Sequence, residues 1–338
     1  MGALVKVHRR AVTLGLLGCA LESSGVSAQQ NVVFFRIGTG GRIGTYFPVG
    51  GLIANAISNP PGSRACNDGG SCGVPGMIAT AVATDGSVAN VAGIASGRMQ
   101  SAFIQSDIAH WAHTGTGLYD GRPKVEKLRA IANLYPESVH VIARKGSGIS
   151  TIRDLKGKRV SLDERGSGAL VDARLILAAY GLSEHDLAAE YLKSRAAGDK
   201  LRGGQLDAFF SVSGWPEGGV AELAAAWDIE LIPIAGEEAA ALINEHSFFS
   251  PDAIPGNVYR GVEEARTISV NAIWATSSDV PEQMIYDVTA ALWHPTTRKL
   301  LDSGHAKGRA IKIETAVKGL GIPLHPGADK FYKERQAK

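Results

Sequence analysis

NVVFFRIGTGGRIGTYFPVGGLIANAIS, residues 31–58, is the stretch that decides the fold. Residues 31–39 are rich in β-branched and aromatic side chains, which predicts a strand. Residues 40–51 form a glycine-rich loop, and residues 52–58 predict a helix that ends at the Asn-Pro-Pro-Gly of residues 59–62. A strand, a glycine turn and a helix in this order are typical of α/β proteins.

The same alternation continues along the chain, without an internal repeat. Residues 135–137, Tyr-Pro-Glu, predict a break between two neighbouring strands. Further strands are predicted at 101–105, 128–134, 139–144, 206–212 and 267–275, and further helices at 169–180 and 281–292. Alternating short strands and helices predict an α/β fold with layered sheets.

The composition is that of a folded protein with no affinity for nucleic acid. The chain has 338 residues, of which 45% are hydrophobic and 20% are charged, enough for about two domains of ordinary size. It has 35 Lys and Arg residues against 33 Asp and Glu residues. Nucleic-acid binding needs a basic excess that this chain lacks.

Residues 1–28 are expected to be a secretory signal peptide. A basic start is followed by the apolar residues 11–21, and residues 26–28, Val-Ser-Ala, resemble a cleavage site. No later stretch approaches 18 uninterrupted apolar residues, so no transmembrane helix is predicted. The protein is therefore expected in the periplasm, with its signal cleaved near Ala28.

Three other interpretations of this region stay open. Residues 1–28 could be an ordinary N-terminal helix. Arg9-Arg10 could belong to a twin-arginine signal, although no matching motif surrounds the pair. Residues 16–19, Leu-Leu-Gly-Cys, resemble a lipobox, which would place a lipid anchor on Cys19.

Cys66 and Cys72 are the two cysteines beyond the signal region, and they flank the flexible polar turn 67–71. In an exported protein this arrangement predicts a disulfide bond that closes a small loop. Two free thiols are the alternative. A metal site would need more ligands than the neighbouring sequence offers, so no metal is expected.

The glycine loop does not fit a nucleotide site, because Ile43 stands where G-x-G-x-x-G needs its third glycine. No Asp or Glu occurs between Glu22 and Asp68, and the chain has no phosphate-binding P-loop motif. A glycine turn before a helix still presents free N–H groups to an anion, and residues 166–168, Gly-Ser-Gly, repeat this device. Together the two loops indicate an anionic or zwitterionic ligand; two ordinary tight turns are the alternative.

No catalytic motif stands out in the sequence. Residues 166–168 do not form G-x-S-x-G, and the His110-x-x-His113 pair lacks the glutamate of a zinc protease motif. Glu137 and Asp163 are candidate acids of a cleft, but nothing pairs them as an acid and a base. The chain is therefore expected to be neither an enzyme nor a cofactor-binding protein.

Long motifs along the chain resemble one family, the TAXI family of extracytoplasmic solute receptors. These receptors are the binding proteins of one class of TRAP transporter. The motifs are IGTGGRIGTYFPVGG (37–51), GSVANV (86–91), FIQSD (103–107), LRAIANLYPESVHVIARKGSGI (128–149), DLKGKRVSLDERGSG (154–168), LDAFFSVSGWP (206–216) and GIPLHPGADKFY (321–332). Several such motifs in the family's order form a specific signal, whereas each alone is weak.

The resemblance implies an α/β fold of the periplasmic-binding-protein type, with two lobes, two crossovers and a ligand cleft between the lobes. Lobe one is expected at 31–140 and 245–338, and lobe two at 141–244. The lobes would close by a hinge around a small carboxylate, such as glutamate, another amino acid or a dicarboxylate. The receptor, expected to be a monomer, would deliver this ligand to a TRAP transporter membrane subunit.

The resemblance also implies a set of ligand-binding residues. They are Thr39, Gly40, Gly41, Arg42, Thr45, Tyr46, Ser87, Asn90, Gln105, Asp107, Ser167 and Phe210. Family members have a small hydroxyl residue at position 42, a Pro at 165 and a Thr at 169, where this chain has Arg42, Arg165 and Ala169. The two added guanidinium groups suggest a ligand with more negative charge than glutamate. Alternatively, both side chains face solvent at the rim of the cleft.

Two other classes of function stay open at this point. A loaded receptor could dock on a membrane sensor kinase instead of a permease. An exported enzyme could share the scaffold, but it would need a nucleophile or a metal set.

Overall fold

The structure is a computed structural model that describes Gly2 and residues 32–336. The expected signal peptide and Cys19 lie outside the described residues. Among residues 32–336, no helix is both long and apolar enough to cross a bilayer.

Twelve strands and ten helices are named here in chain order. The strands are β1 (Val33–Gly38), β2 (Ser58–Asn59), β3 (Val74–Pro75), β4 (Met77–Val82), β5 (Ser101–Gln105), β6 (Leu128–Arg144), β7 (Arg159–Ser161), β8 (Ala188–Glu190), β9 (Ala208–Ser213), β10 (Ile229–Leu231), β11 (Ser250–Ile254) and β12 (Ala265–Ser277). The helices are α1 (Tyr46–Ile57), α2 (Ser87–Ala95), α3 (Ser106–Thr114), α4 (Gly168–Ala179), α5 (Ser194–Arg202), α6 (Gly218–Ala226), α7 (Glu237–Glu245), α8 (Glu282–Leu292), α9 (Pro295–Gly304) and α10 (Pro326–Gln336). The predicted mixture of short strands and helices is confirmed.

The main sheet has ten strands, and eight of them follow the order β4-β1-β5-β12-β6-β9-β7-β8. β4, β1 and β5 are parallel to one another and form the first strand group. β9, β7 and β8 are likewise parallel and form the second strand group. The strands β12 and β6 lie between the groups and pair antiparallel with each other; β12 also pairs with β5, and β6 also pairs with β9.

The long strand β6 corrects one prediction. Two strands with a break at residues 135–137 were expected, but β6 runs without interruption from Leu128 to Arg144. Pro136 is accommodated because it pairs with Asn271 close to a register shift, where β6 has one residue more than β12 and the ladder of hydrogen bonds is already irregular.

Helix α1 corrects a second prediction, because it begins at Tyr46 and not at residue 52. Pro48 lies in its first turn, where the backbone N–H has no partner within the helix, so proline costs little there. The second half of the glycine loop therefore belongs to a helix.

Each strand group packs against helices through a separate cluster of buried apolar residues. Phe35 and Trp274 of the sheet are fully buried against α1 and α8. Val160 and Phe210 are buried with Ile176 of α4 on the other side of the central strands. Burial of this apolar surface is the main stabilising contribution to both parts.

The expected disulfide is confirmed. The Cys66 and Cys72 sulfurs are bonded, and the bond closes the short turn between β2 and β3.

Candidate functional site

A cavity of about 430 Å³ lies between the two strand groups. Its walls are formed by loops that follow the carboxyl ends of β1, β4 and β5 on one side and of β7, β8 and β9 on the other. Ligands of α/β proteins bind at this edge of a sheet, outside the carboxyl ends of parallel strands. A volume of this size is typical of a small-molecule site.

Eight of the twelve predicted site residues line this cavity. They are Gly40, Gly41, Arg42, Thr45, Tyr46, Ser87, Gln105 and Ser167. The glycine loop after β1 and the Gly-Ser-Gly turn before α4 thus face each other, as the sequence led us to expect. Contact between a ligand and any of these residues stays a prediction.

Three of the other four residues have structural roles near the cavity. The Thr39 hydroxyl donates to the Val82 carbonyl over 2.7 Å. The Asn90 amide donates to the Thr39 and Phe103 carbonyls over 2.6 and 2.7 Å, which joins α2 to β1 and β5. Phe210 is buried in the apolar core and does not line the cavity. The fourth, Asp107, is fully buried behind the cavity wall.

Tyr46 and Glu137 form the central polar pair of the cavity. The Tyr46 hydroxyl donates to Glu137 Oε2 over 2.6 Å, and the Glu137 side chain is almost fully buried. Burial raises the pKa of Glu137 to about 8, although the Tyr46 hydrogen bond lowers it. The Tyr46 ring stands edge-on to Phe103 at 5.5 Å between centroids, so its hydroxyl is held in place.

Two further acids, Asp163 and Glu164, lie on the β7 side of the cavity, and Glu164 contacts Lys193. Burial raises the pKa of both Asp163 and Glu164 to about 7. Lys193 Nζ lies 3.1 Å from Glu164 and 3.3 Å from Asp85, which belongs to the loop after β4. Lys193 therefore links the two sides of the cavity at its partly exposed rim.

Glu217 closes another part of the wall. Its Oε2 accepts from the Val220 backbone N–H over 2.7 Å and so caps α6. Its Oε1 accepts from the Ser194 hydroxyl over 2.8 Å. Both carboxyl oxygens are occupied, which makes Glu217 a less available ligand contact than Glu137.

Ser213 offers an unused hydroxyl. It lines the cavity and is almost fully buried, and its Oγ has no hydrogen-bond partner within the part of the chain that the structure describes. A buried polar group without a partner is destabilising, so a bound ligand that pairs with it would gain affinity.

The charged residues that line the cavity are mostly acidic. Among the described residues they are Asp85, Glu137, Asp163, Glu164 and Glu217, against Arg42, Lys193 and Arg195. Arg165, one of the two added guanidinium groups, does not line the cavity; it is exposed and stacks over the Tyr191 ring at 4.1 Å. Arg42 does line it, while stacking over Phe47 at 5.5 Å.

The two sides of the cavity are bonded directly to each other. The Val88 and Ala89 backbone N–H groups, in the first turn of α2, donate to the Gly166 carbonyl over 3.1 Å. The Thr45 hydroxyl donates to the Gly214 carbonyl over 2.6 Å. The start of α2 is therefore occupied by the opposite loop and does not offer these N–H groups to an anion.

Glycine is required at this crossing point. Gly86 has φ +110°, and a Cβ there would lie 3.2 Å from the Ser167 Cα. A larger residue would separate the two loops.

Several lining residues were not predicted. Lys193, Ser194 and Arg195 follow β8 in a stretch without a recognisable motif. Ser211 and Ser213 lie on β9 with the spacing of one strand face, and this Ser-x-Ser pattern was the signal that could have revealed them.

Two parallel strand groups, two long strands that run between them and a cavity at the junction define the two-lobed periplasmic-binding-protein fold. A family model matches residues 37–335, and the chain belongs to the NMT1-like family.

Solved structures of the same fold agree. A protein of Bordetella bronchiseptica RB50 is similar with a TM-score of 0.52 and 16% identity over 89% of this chain and 82% of that chain. PhnD1 of Prochlorococcus marinus (MIT 9301), in complex with methylphosphonate, is similar with a TM-score of 0.50 and 11% identity over 90% of this chain and 96% of that chain. At these identities the likeness establishes the fold alone.

Proposed function

We propose that this protein is an extracytoplasmic solute-binding receptor of the TAXI type, without catalytic activity. It captures a small carboxylate in the cavity and delivers it to a TRAP-type membrane subunit. The observation that carries the proposal is a cavity of about 430 Å³ enclosed by two sides that bond directly to each other. Enclosure of a ligand by two joined lobes is how hinge-closing receptors bind.

The lobe boundaries follow from the same proposal. Lobe one comprises 31–140 and 245–338, and lobe two comprises 141–244. β6 and β12 then act as the hinge, because they pair with each other and connect the two groups, β12 through β5 and β6 through β9. The receptor works as a monomer in the periplasm after removal of residues 1–28.

The acidic lining favours an amino acid over a dicarboxylate. A ligand with two negative charges would oppose the ionisation of the five lining carboxyl groups still further, whereas a ligand ammonium group would favour it. Glu137 can pair with a ligand ammonium group, which would restore its ionised form, while the ligand carboxylate faces Lys193 or Arg42. Arg165 lies away from the cavity, so the second added guanidinium group does not support a more anionic ligand.

A thermal-shift panel tests the proposal. The exported protein, unfolded and refolded once to remove any co-purified compound, is heated with single amino acids, dicarboxylates, a sulfonate and methylphosphonate. A ligand at 100 times its Kd adds about 2.7 kcal/mol to the free energy of unfolding, which raises Tm by several degrees.

A clear shift with an amino acid such as glutamate supports the proposal. A shift with dicarboxylates alone would contradict the role of Glu137, and a shift with methylphosphonate alone would contradict the carboxylate class. Absence of any shift in Tm across the panel would overturn the proposal that the protein is a receptor for small carboxylates.

A further inference from the structure

Two fully buried carboxyl groups meet behind the cavity wall. Asp107 lies in the first turn of α3, after β5, and Asp172 lies in α4, after β7. They belong to opposite strand groups, and each shifts the pKa of the other as a side-chain hydrogen-bond partner. The pair therefore connects the two lobes at a point that no solvent reaches.

The side-chain amide of Gln105 hydrogen-bonds to one member of this pair. Gln105 Nε2 donates to Asp172 Oδ2 over 2.6 Å. Asp107 Oδ1 and Oδ2 and Asp172 Oδ1 have no well-formed hydrogen bond to an N–H or O–H donor among residues 32–336. A buried carboxylate pair without donors would be strongly destabilising unless a proton lies between its two members.

The surroundings indicate which residue carries that proton. Burial raises the pKa of Asp107 to about 7, but its place at the positive end of the α3 dipole and the backbone N–H groups of Asp107 and Ile108 limit this rise. Burial and the charge of Asp107 both raise the pKa of Asp172 well above its usual range. Asp172 is then the acid: its Oδ2 accepts from Gln105, and its carboxyl proton is shared with Asp107.

The other titratable groups near the pair lie on β6, α1 and the segment after α9. Glu137 of β6 raises the pKa of Asp172, and Asp107 in turn raises the pKa of Glu137. Tyr46 donates to Glu137, and the buried ammonium group of Lys307 lowers the pKa of Glu137. Glu137 is therefore the neighbouring group that an experiment has to separate from the pair.

We propose that Asp107 and Asp172 form a proton-binding latch, so that closure of the two lobes takes up one proton and a rise in pH opens them. In the closed form the shared proton makes the hydrogen bond. In the open form both carboxyl groups meet water and ionise at ordinary pH. Between the ordinary and the raised pKa, the closed form holds one more proton, and the ratio of closed to open protein falls about tenfold per pH unit.

Gln105 connects this latch to the cavity. It lines the cavity, and the Ser87 hydroxyl donates to the Gln105 side-chain Oε1 over 3.3 Å and accepts from the Gln105 backbone N–H over 3.0 Å. A solute that orders Gln105 would also order the bond to Asp172. Solute capture and proton uptake would then favour each other.

Small-angle X-ray scattering of the solute-free protein between pH 5 and pH 9 tests the latch. The radius of gyration of the wild type should increase as the pH rises. In Asp172→Asn it should stay at the compact value, because the asparagine amide donates to Asp107 without a titratable proton. Glu137→Gln removes the neighbouring acid and keeps the pair, so it should still open as the pH rises, at a lower pH than the wild type.

Urea unfolding at the same pH values gives a second readout. Over the range in which the pair titrates, the unfolding equilibrium constant increases with each pH unit in the wild type. We expect the factor of this increase to be about ten times the factor in Asp172→Asn. If Asp172→Asn does not fold, Asp107→Asn replaces it, since its amide can donate to an ionised Asp172.

Three results would overturn the latch. They are a wild-type radius that does not change with pH, equal pH slopes of unfolding in wild type and Asp172→Asn, and loss of opening in Glu137→Gln in place of Asp172→Asn. None of these measurements uses a solute, so a failure here is distinct from a failure of the proposed receptor function.

Discussion

Removal of one hydroxyl, in Tyr46→Phe, probes the centre of the cavity. The Tyr46 hydroxyl donates to Glu137 Oε2 over 2.6 Å, and both side chains are buried. The Phe103 contact of the ring, edge-on at 5.5 Å, is unchanged by the substitution. The variant therefore removes a hydrogen bond without removing apolar packing.

The expected loss follows from burial. Deleting a donor and leaving a buried acceptor without its partner costs about 1–3 kcal/mol in the free energy of unfolding. Because the Tyr46 bond lowers the pKa of Glu137, its loss should raise that pKa further above 8. Tyr46→Phe should thus unfold at lower urea concentration at pH 7, with an unchanged slope.

Tyr286→Phe is the matched control. The Tyr286 hydroxyl also donates to a glutamate, Glu334 Oε2, over 2.7 Å, but this pair is exposed. A surface change of this kind stays within about 0.5 kcal/mol. Equal losses in the two tyrosine variants, or no loss in Tyr46→Phe, would refute the reasoning from burial.

Three further predictions concern stability. Reduction of Cys66–Cys72, a sequence separation of 6, should lower the free energy of unfolding by about 2 kcal/mol, measured by urea unfolding with and without reductant; no change would contradict this. Gly168→Ala should lower the free energy of unfolding by more than about 1 kcal/mol, because its Cβ would overlap Gln105 Oε1. Gly51→Ala, with open space around it in α1, should raise the free energy of unfolding by about 0.5–1 kcal/mol. Calorimetry that ranks the two variants in reverse order would contradict this. Burial lowers the pKa of His140 to about 4, so the unfolded chain binds more protons than the folded one between about pH 6.5 and 4. Acidification through that window should therefore lower the free energy of unfolding by up to about 3 kcal/mol. In His140→Gln the free energy of unfolding should depend less steeply on pH. An equally steep dependence would show that other groups cause the acid sensitivity.

The sequence predicted the local elements well where side-chain pattern decides them. β5 was predicted at its observed bounds, residues 101–105. All five residues are buried, so the residues that favour a strand locally are also core residues. The predicted break at Pro136 was wrong: proline disfavours a strand locally, but the pairing of β6 with β12 accommodates it close to a register shift. The continuity of β6 depends on its pairing with a strand that is distant in sequence, and no local pattern of residues predicts that pairing.

The candidate site was predictable to the extent that loops after strands are recognisable. The glycine loop and residues 166–168 face each other, as two similar turns at strand ends should. Lys193 and Arg195 enter from a strand without a motif, and Asp172 became notable only when α4 was seen to pack beside Asp107. Contacts between distant segments of this kind depend on the tertiary fold.

The central claim, that the solute binds between the two strand groups, is tested most directly by filling the cavity. Gly41 lines it, and a Cβ there would meet only Lys193 Cδ, at 3.7 Å, so Gly41→Trp places an indole ring inside without backbone strain. Ser247→Trp is the control, because Ser247 lines a separate cavity of about 330 Å³.

Isothermal titration with the compound that gives the largest thermal shift should be compared in the wild type and both variants. We expect Gly41→Trp to weaken binding at least about hundredfold, equivalent to about 2.7 kcal/mol, while Ser247→Trp binds as the wild type does. Unchanged affinity in Gly41→Trp together with lost affinity in Ser247→Trp would contradict the account.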